Sequence, residues 1–443
     1  MTTVPPAPTA STGRRTGAPA VERPAHRDGN VLRWLAAYTL SMVGDNIYYI
    51  ALSWAAVRAG SPAQAGAVMA VGSVPRLLLM LGGGTLADRL GPRTVVIGSD
   101  AVRCAAVLAV AALFWATSPG LWPLAVLALV FGTVDAVFLP AVGALPARVT
   151  SRGQLARVQG MRGLAIRLAS VVGAPLGGLG VALGGAAAAL GTAGLLMAAS
   201  VPLLVSVRLR KPPQDAPGDT GGTGGPDGSG DTGGSAGTGG STAWRDLVDG
   251  LRYIRRHRVL APLMLTIALG DLGFMAPLNV GLALLADERG WGASGLGWTL
   301  AGFSAGAGAA SLLLTVRGRL PRAGRTTAYA IIAGAVAIGT LAHVPSVVAA
   351  LGVAVLIGLL TGLSGALCGA LLQTQADPAY LGRVTAVAGL VSLGFAPLSM
   401  PLSAAAIGIW GTGPVFVVSA AVCGLGGVVT LAARDLRRVE LPR

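Results

Sequence analysis

Ionisable side chains lie in the middle of several long apolar stretches of this sequence. Three of them are aspartates, Asp45, Asp135 and Asp271. A charge at the centre of a bilayer is costly, by about 2.5–3.5 kcal/mol on insertion scales, so such residues usually have a function or an internal partner. A desolvated carboxylate can bind a proton from one side of a membrane and release it to the other. The aspartates are therefore candidates for proton coupling, with Asp135 the first choice, and a permanent ion pair is the alternative for each.

Basic side chains occur at a comparable depth, so buried ion pairs between helices are expected. They lie in the second, third and fifth apolar stretches, as Arg76, Arg103, Arg162 and Arg167. Asp100 is one helical turn from Arg103, and this spacing favours a structural pair over a functional one. The predicted buried charge partners are thus these four arginines together with Asp100.

The elements that position these residues are predicted to be membrane helices. The chain has 53% hydrophobic and only 12% charged residues, whereas a soluble domain has roughly a quarter charged. Each apolar stretch has about 20 residues, which is enough to cross a hydrocarbon core. The fold class is therefore an all-α membrane protein of about twelve helices in two six-helix bundles. The predicted helices are 31–57, 63–86, 94–117, 122–146, 160–183, 186–207, 259–285, 294–316, 326–344, 347–373, 384–408 and 413–433.

The arginines between the helices predict the orientation. Alternate loops hold most of them, as in Arg89 and Arg93 or Arg148 and Arg152, while the opposite loops hold few. This bias predicts a multi-pass protein of the bacterial inner membrane with both termini in the cytoplasm. It also accounts for the net charge of +15. Nucleic-acid binding is not expected, because no basic stretch is interleaved with aromatic residues.

Composition also divides the chain into segments. A Gly/Asp/Thr/Ser run in the middle is typical of a flexible linker. Apolar residues at helical spacing follow it from Trp244 and predict an amphipathic helix on the inner leaflet. The predicted segments are a disordered cytoplasmic tail (1–30), an N-terminal bundle (31–207), the linker (208–243), the amphipathic helix (244–258), a C-terminal bundle (259–433) and a cytoplasmic tail (434–443).

The two halves contain related segments. Phe131 to Leu145 and Ile357 to Leu371 share a pattern of glycine and small residues, and each precedes a polar loop that ends in arginine. A parallel repeat joined by a cytoplasmic linker is a recurring plan of alternating-access transporters, which bind their substrate between the halves.

The loop after the second predicted helix reads Gly-Thr-Leu-Ala-Asp-Arg-Leu-Gly-Pro-Arg, and its motif positions are Gly84, Asp88, Arg89, Gly91 and Arg93. It resembles the G-x-x-x-D-R-x-G-x-[RK] motif of the major facilitator superfamily, in sequence and in place. The resemblance implies the major-facilitator fold, with the two six-helix bundles around a central cavity. It also implies that the aspartate docks near the start of helix 11, while the arginines bind lipid headgroups or helix 4. Such a contact would act as a conformational latch. The corresponding loop of the second half has Pro321 in place of the acid.

Further segments are similar to the exporter branch that contains the enterobactin exporter and macrolide-efflux-like proteins. They are Gly44-Asp45, Asp100 to Arg103, Phe138 to Pro146, Gly250 to Arg256 and Leu381 to Val384. The fifth helix also resembles the G-P-x-x-G-G antiporter motif with the proline displaced by one place. Its residues are Gly173, Pro175, Gly177 and Gly178. This bend favours export, and close packing of small residues is the alternative explanation.

The resemblance and the buried charges together predict proton-coupled efflux of a small amphipathic or hydrophobic organic compound, such as a drug, an antibiotic or a siderophore. The alternatives are a proton-independent facilitator or importer, and a membrane scaffold or sensor of the same fold. The sequence has no P-loop and no catalytic or metal-ligand cluster, so neither an enzyme nor a cofactor or metal is expected. The expected partners are the substrate, protons and membrane lipids, and the expected functional unit is a monomer.

Overall fold

The computed structural model describes residues 27–117, 119–150, 154–208, 239–317, 322–377 and 380–439, apart from the side chains of 80–89, 156, 239–247, 317 and 393. The first half contains α1 (Gly29–Ala59), α2 (Pro62–Leu90), α3 (Pro92–Ala116), α4 (Trp122–Val149) and α5 (Leu155–Ser206). Helices dominate because lipid offers no hydrogen bonds to an unpaired backbone.

Local signals set the ends of these helices. Ser61 and Gln64 form a reciprocal capping box at the start of α2, with Pro62 in the first turn, where its missing N–H is not needed. Gly91 has a φ of 81° and separates α2 from α3, because glycine enters this region without steric cost. Gly185 has a φ of 71° inside the 52-residue α5. It divides α5 into a first arm (155–184) and a second arm (186–206), which agrees with the two helices predicted there.

The second half repeats the plan with more interruptions. It contains α6 (Gly239–Arg256), α7 (Leu260–Ala276), a π-helical turn (Pro277–Gly281), α8 (Leu282–Glu288), α9 (Gly292–Arg317), α10 (Ala323–Leu341), α11 (Val347–Gln375), α12 (Leu381–Gly394), α13 (Ala396–Trp410), α14 (Thr412–Ala432) and α15 (Arg434–Arg438). The predicted seventh helix is thus interrupted by the π turn and runs to Glu288. The predicted eleventh helix is broken between α12 and α13, at Phe395.

Eight helical segments of the described chain are long and apolar enough to cross a membrane, and one of them is the 50-residue segment that contains the Gly185 kink. Outside this set, α1, α2 and α10 have 31, 29 and 19 residues, lengths that suffice to cross the hydrocarbon core. The arms of α5 count separately, whereas α7–α8 and α12–α13 form one pass each. The described residues therefore make twelve long passes, as the sequence predicts.

Each half packs around a close crossing of two helices. Gly132 on α4 lies against the backbone of Gly72 on α2, and Gly358 on α11 lies against the backbone of Phe303 on α9. A side chain at either glycine would overlap the facing carbonyl group, so the absence of a β-carbon sets the helix separation. Around these crossings, α1 and α3 pack on α5, while α7 and α10 pack on α14.

The two halves contact each other mainly through two helix pairs, α5 with α9 and α2 with α13. Gly178 of α5 approaches Ala293 at the start of α9, and Gly66 at the start of α2 approaches Ala404 of α13. At the same end, Arg58 is 3.3 Å from Asp287 across the halves. These contacts all lie at the end of the protein where the loops carry few arginines.

The segments outside the helical passes are only partly described. Residues 1–26 and 209–238 lie outside the described ranges, so the predicted tail and linker stay predictions. The amphipathic helix is present as α6, and its Tyr253 stacks on Tyr380, with ring centroids 4.5 Å apart. The predicted C-terminal tail begins with a short helix, α15, because Leu436 is fully buried against the start of α10 at Gly324.

Candidate functional site

Arg103 is the centre of a charge network inside the N-terminal half. The buried face of α3 carries Ser99, Asp100, Arg103 and Val107, and the Arg103 side chain is only 1% exposed. Its Nη1 is 3.5 Å from Asp45 Oδ2 on α1 and 3.9 Å from Asp100 Oδ1 on its own helix. Its Nη2 donates a hydrogen bond to Asp135 Oδ1 on α4. One guanidinium thus joins three carboxylates from three helices.

Two aromatic rings complete the surroundings of this guanidinium. It lies 4.1 Å from the ring centroid of Phe138 and 5.5 Å from that of Phe131. The faces of aromatic rings attract a cation. They also exclude water, which strengthens each ion pair of the network.

Asp100 is the most enclosed acid of the network and its partners are complete. Its side chain is 1% exposed, and it accepts hydrogen bonds of 3.0 Å from the hydroxyls of Ser41 and Ser200. Its two carboxylate oxygens therefore have separate donors in addition to Arg103. This arrangement ties α3 to α1 and to the second arm of α5, which is a structural role.

Asp135 and Asp45 are more accessible. Their side chains are 14% and 16% exposed, and Asp45 Oδ1 has no hydrogen-bond partner among the described residues. Arg76 of α2 approaches Asp135 from the other side, with Nη1 3.9 Å from Oδ2. The network therefore holds three carboxylates and two guanidiniums, so full ionisation leaves one negative charge in excess.

A central cavity of about 390 Å³ borders this network, and both halves line it. Arg76 and Asp135 are its charged lining residues in the described chain. The remaining wall is aromatic, aliphatic, amide and hydroxyl, and it includes Tyr48, Tyr49, Met69, Asn46, Asn279, Met400, Ser53 and Ser73. Methionine and aromatic walls with a few polar groups suit a drug-sized organic molecule, because methionine adapts to different shapes.

Asp271 lies apart from this network. It is half-buried on α7 and lines a second cavity of about 470 Å³ within the C-terminal half. The Ser392 hydroxyl is within hydrogen-bonding reach of its carboxylate. None of the ion pairs among the described residues includes Asp271.

Two of the predicted charge partners do not join the network. Arg162 is half-buried and lies 5.6 Å from the ring centroid of Tyr38, and it donates to Gln159 on its own helix. Arg167, predicted to be buried, is exposed. Buried positions 165 and 169 define the inner face of this arm. A residue two positions away points to the opposite face of a helix.

The latch motif is described only at its end. The side chains of Asp88 and Arg89 and the surroundings of Gly84 lie outside the described part of the structure, so the predicted role of these residues stays a prediction. Gly91 forms the tight break after α2, and Arg93 donates to the carbonyl oxygen of Val205. That carbonyl lies in the last turn of α5, where helix carbonyls lack intrahelical partners. Arg93 therefore contacts the second arm of α5, whereas the resemblance implies lipid or helix 4.

The antiporter-like bend lies where three helices meet. Gly173 approaches Asn46 and Val43 of α1, Gly177 approaches Ile47 and Ile50 of α1, and Gly178 approaches the start of α9. Pro175 lies inside the helix between them. Small residues here let the first arm of α5 fit between α1 and α9.

The sequence analysis did not predict that the hydroxyls of Ser41 and Ser200 bind Asp100. It also did not predict that acids occupy corresponding positions in the two halves. Ser41 precedes Asp45 by one helical turn on the same face of α1, a spacing that was available as a signal. The interval that maps Asp135 onto Thr361 also maps Gly44-Asp45 onto Gly270-Asp271. Asp45 and Asp271 are thus counterparts in the repeat.

Comparison with known proteins gives the class of protein. A sequence profile of the Major Facilitator Superfamily matches residues 34–396. The chain therefore belongs to this superfamily of membrane transporters, as its loop motif predicts.

Two relatives match almost the whole chain. The multidrug efflux pump Tap of Mycolicibacterium fortuitum is 26% identical over 439 residues, which cover 93% of this chain and 98% of that protein. The multidrug efflux pump Tap of Mycobacterium tuberculosis (strain ATCC 25618 / H37Rv) is 25% identical over 416 residues, covering 92% and 94%. The enterobactin-exporter branch stays a prediction.

Solved structures share the fold. The nucleoside transporter NupG superposes with a TM-score of 0.65 at 15% identity, covering 93% of this chain and all of that one. A bacterial homologue of the human lysosomal transporter Spinster, in an inward-facing and unoccupied conformation, gives a TM-score of 0.61 at 14% identity and covers 94% and 97%. These similarities confirm the major-facilitator fold.

Proposed function

We propose that this chain exports small amphipathic or hydrophobic organic compounds in exchange for protons, and that Asp135 carries the proton. The observation that carries the proposal is the excess acid around Arg103, together with the position of Asp135 on the wall of the central cavity. Drug-like compounds are the proposed cargo, because the relatives are multidrug efflux pumps and the cavity wall is aromatic and aliphatic.

Proton exchange would act through the ion pairs of Asp135. A protonated Asp135 holds Arg103 and Arg76 less strongly, and Arg103 then balances Asp45 and Asp100 alone. The contact between α3 and α4 weakens, which favours a different arrangement of the N-terminal helices. Release of the proton restores the Asp135–Arg103 pair present in the structure. One charge that moves through 100 mV supplies about 2.3 kcal/mol, which the cycle couples to uphill efflux.

We infer from the predicted topology that the central cavity opens to the cytoplasm. The contacts between the halves at Gly66 and Gly178 lie at the ends where the loops carry few arginines, which the positive-inside bias assigns to the outer face. In this arrangement the cavity receives substrate from the cytoplasm or the inner leaflet. The deprotonated pair of Asp135 with Arg103 fits the state after proton release to that side.

The proposal is tested in inside-out membrane vesicles whose lumen is acidified and monitored with a pH-sensitive dye. Lipophilic cations, macrolides and siderophores are added in turn to vesicles that contain wild-type protein or Asp135→Asn. We expect at least one compound to dissipate the gradient with wild type and not with Asp135→Asn. The matched control is Asp249→Asn on α6, an exposed acid paired with Arg252, which is expected to behave as wild type.

Two outcomes contradict proton-coupled export, and a third contradicts the role of Asp135. If labelled compound crosses the membrane at equal rates with and without a proton gradient, the protein is a facilitator. If no compound moves, and if the cellular effect of the protein persists when bulky residues fill the central cavity, the protein is a scaffold or sensor and not a transporter. If a compound dissipates the gradient equally with wild type and with Asp135→Asn, proton coupling stands but Asp135 does not carry the proton.

A further inference from the structure

Among its described lining residues, the second cavity has a single charged side chain. It lies between α7, α11 and α12, with contributions from α10 and α14, and holds about 470 Å³. Asp271 is the one acidic or basic residue that lines it in the described part of the chain. The other lining residues are apolar, hydroxyl, thiol or amide, among them Phe274, Ile267, Leu372, Gln373 and Ser392. A lone carboxylate beside apolar walls is complementary to a cation with an apolar body.

Glycines keep this cavity wide. Ideal β-carbons at Gly270, Gly365 and Gly369 meet no atom within 4 Å, and all three residues line the cavity. Elsewhere in the same half, Gly273 and Gly358 lie directly against the backbone of another helix. Close packing therefore explains the second group of glycines and leaves the first group unexplained. A cavity of this volume is in the range that drug-sized ligands occupy.

The repeat shows what the C-terminal half lacks. Asp271 is the counterpart of Asp45, whose Oδ2 is 3.5 Å from Arg103. Thr361 is the counterpart of Asp135 and also lines the second cavity. At the positions that correspond to the three acids of the network, the C-terminal half thus has one acid, Asp271. No guanidinium in the described chain neutralises Asp271.

We propose that the cavity around Asp271 is a binding site for a monovalent organic cation. The charged end of the ligand lies against Asp271, and its apolar body lies against Phe274, Ile267 and Leu372. This inference rests on the proposed transport function and adds a substrate class to it. The site separates two tasks, because the N-terminal network exchanges the proton while Asp271 selects for positive charge.

The test compares two probes of nearly equal shape, methyltriphenylphosphonium, which is charged, and triphenylphosphine oxide, which is neutral. Their affinities are measured by calorimetry on full-length protein purified in detergent. For Asp271→Asn we expect the affinity for the phosphonium to fall about tenfold or more, since the attraction between the ligand and the carboxylate is lost. The affinity for the neutral oxide stays unchanged, and Asp271→Glu restores phosphonium binding.

A second pair of variants tests the space itself. Gly365→Phe fills the cavity and is expected to reduce the binding of both probes. Gly352→Phe is the control on the same helix, because its β-carbon also meets open space and Gly352 does not line the cavity. If Gly365→Phe and Gly352→Phe bind the two probes equally well, the proposed site is wrong.

The outcomes also separate this inference from the proposed function. If wild type does not bind the phosphonium, or if Asp271→Asn binds it as wild type does, the inference is wrong even where proton-coupled efflux of other compounds is observed. If the phosphonium binds as expected and no compound dissipates the proton gradient, the site stands and the exchange with protons fails.

Discussion

The two halves of this transporter share a fold and a Gly-Asp pair at the same place in the repeat, but the surroundings of the two aspartates differ. Asp45 lies in a network of three carboxylates and two guanidiniums that connects four helices. Asp271 lies beside an open cavity and near the Ser392 hydroxyl. In one half the charges hold helices to one another, and in the other the carboxylate lines a cavity.

This difference shows that a repeated backbone does not imply repeated chemistry. The helix crossing at Gly132 and Gly72 is reproduced at Gly358 and Phe303, since both depend on glycine against a carbonyl. The charged network is not reproduced, since the second half has other residues at the corresponding positions, such as Thr361 at the counterpart of Asp135. The two halves therefore share the packing of their helices and differ in their charged side chains.

The largest expected effect comes from removing the centre of the network. Arg103→Ala leaves three buried carboxylates with Arg76 alone, and breaking a buried ion pair costs about 3–5 kcal/mol. We expect a large loss of folded protein and a lowered midpoint of thermal unfolding in detergent. Arg103→Lys keeps the charge, loses the planar two-pronged contact and recovers part of the stability. A midpoint unchanged in Arg103→Ala would show that the network does not stabilise this half.

The next effect tests the similarity of the halves. Gly132→Leu and Gly358→Leu each force a side chain into a facing backbone, and overpacking costs typically about 1–3 kcal/mol. We expect comparable decreases in the unfolding midpoint for both. The controls Gly143→Leu on α4 and Gly352→Leu on α11 meet open space and should change little. A large decrease in one half alone would contradict an equivalent role for the two crossings.

A smaller effect is expected when the second half is made more like the first. Thr361→Asp places an acid at the counterpart of Asp135, on the wall of the Asp271 cavity. A second carboxylate near the ligand should raise the affinity for methyltriphenylphosphonium by about three- to tenfold. Thr361→Asn has a similar shape without the charge and serves as the control. An increase in both variants would point to hydrogen bonding in place of charge.

The smallest effect is expected at the surface contact between the halves. Arg58 and Asp287 are 66% and 36% exposed, and exposed pairs of this kind contribute little because water and salt screen them. In Arg58→Ala we expect the rate of efflux to change less than about twofold. A strong loss of efflux would mean that this pair, and not the helix packing beside it, holds the halves together at this end.

The predictions from sequence were most accurate where one helix or one loop carries the signal. The passes begin and end within a few residues of the predicted limits, since apolar length decides them. The break at Gly185 also falls between two predicted helices. The interruption at Phe395 was missed, because a short bend in an apolar run leaves little trace in composition. The burial of Arg167 was wrong, because apolar sequence on all sides of a membrane helix conceals which face is inner.

The amino-acid sequence alone predicts that this protein spans a membrane, belongs to the major facilitator superfamily and carries acids at membrane depth. It also determined local pairs such as Asp100 and Arg103, because helical spacing brings them together. The folded arrangement was needed to see that Asp45 and Asp135 meet on Arg103, and that Asp271 makes no ion pair among the described residues. Those contacts join different helices, and the relative rotation and crossing of helices depend on packing along their whole lengths.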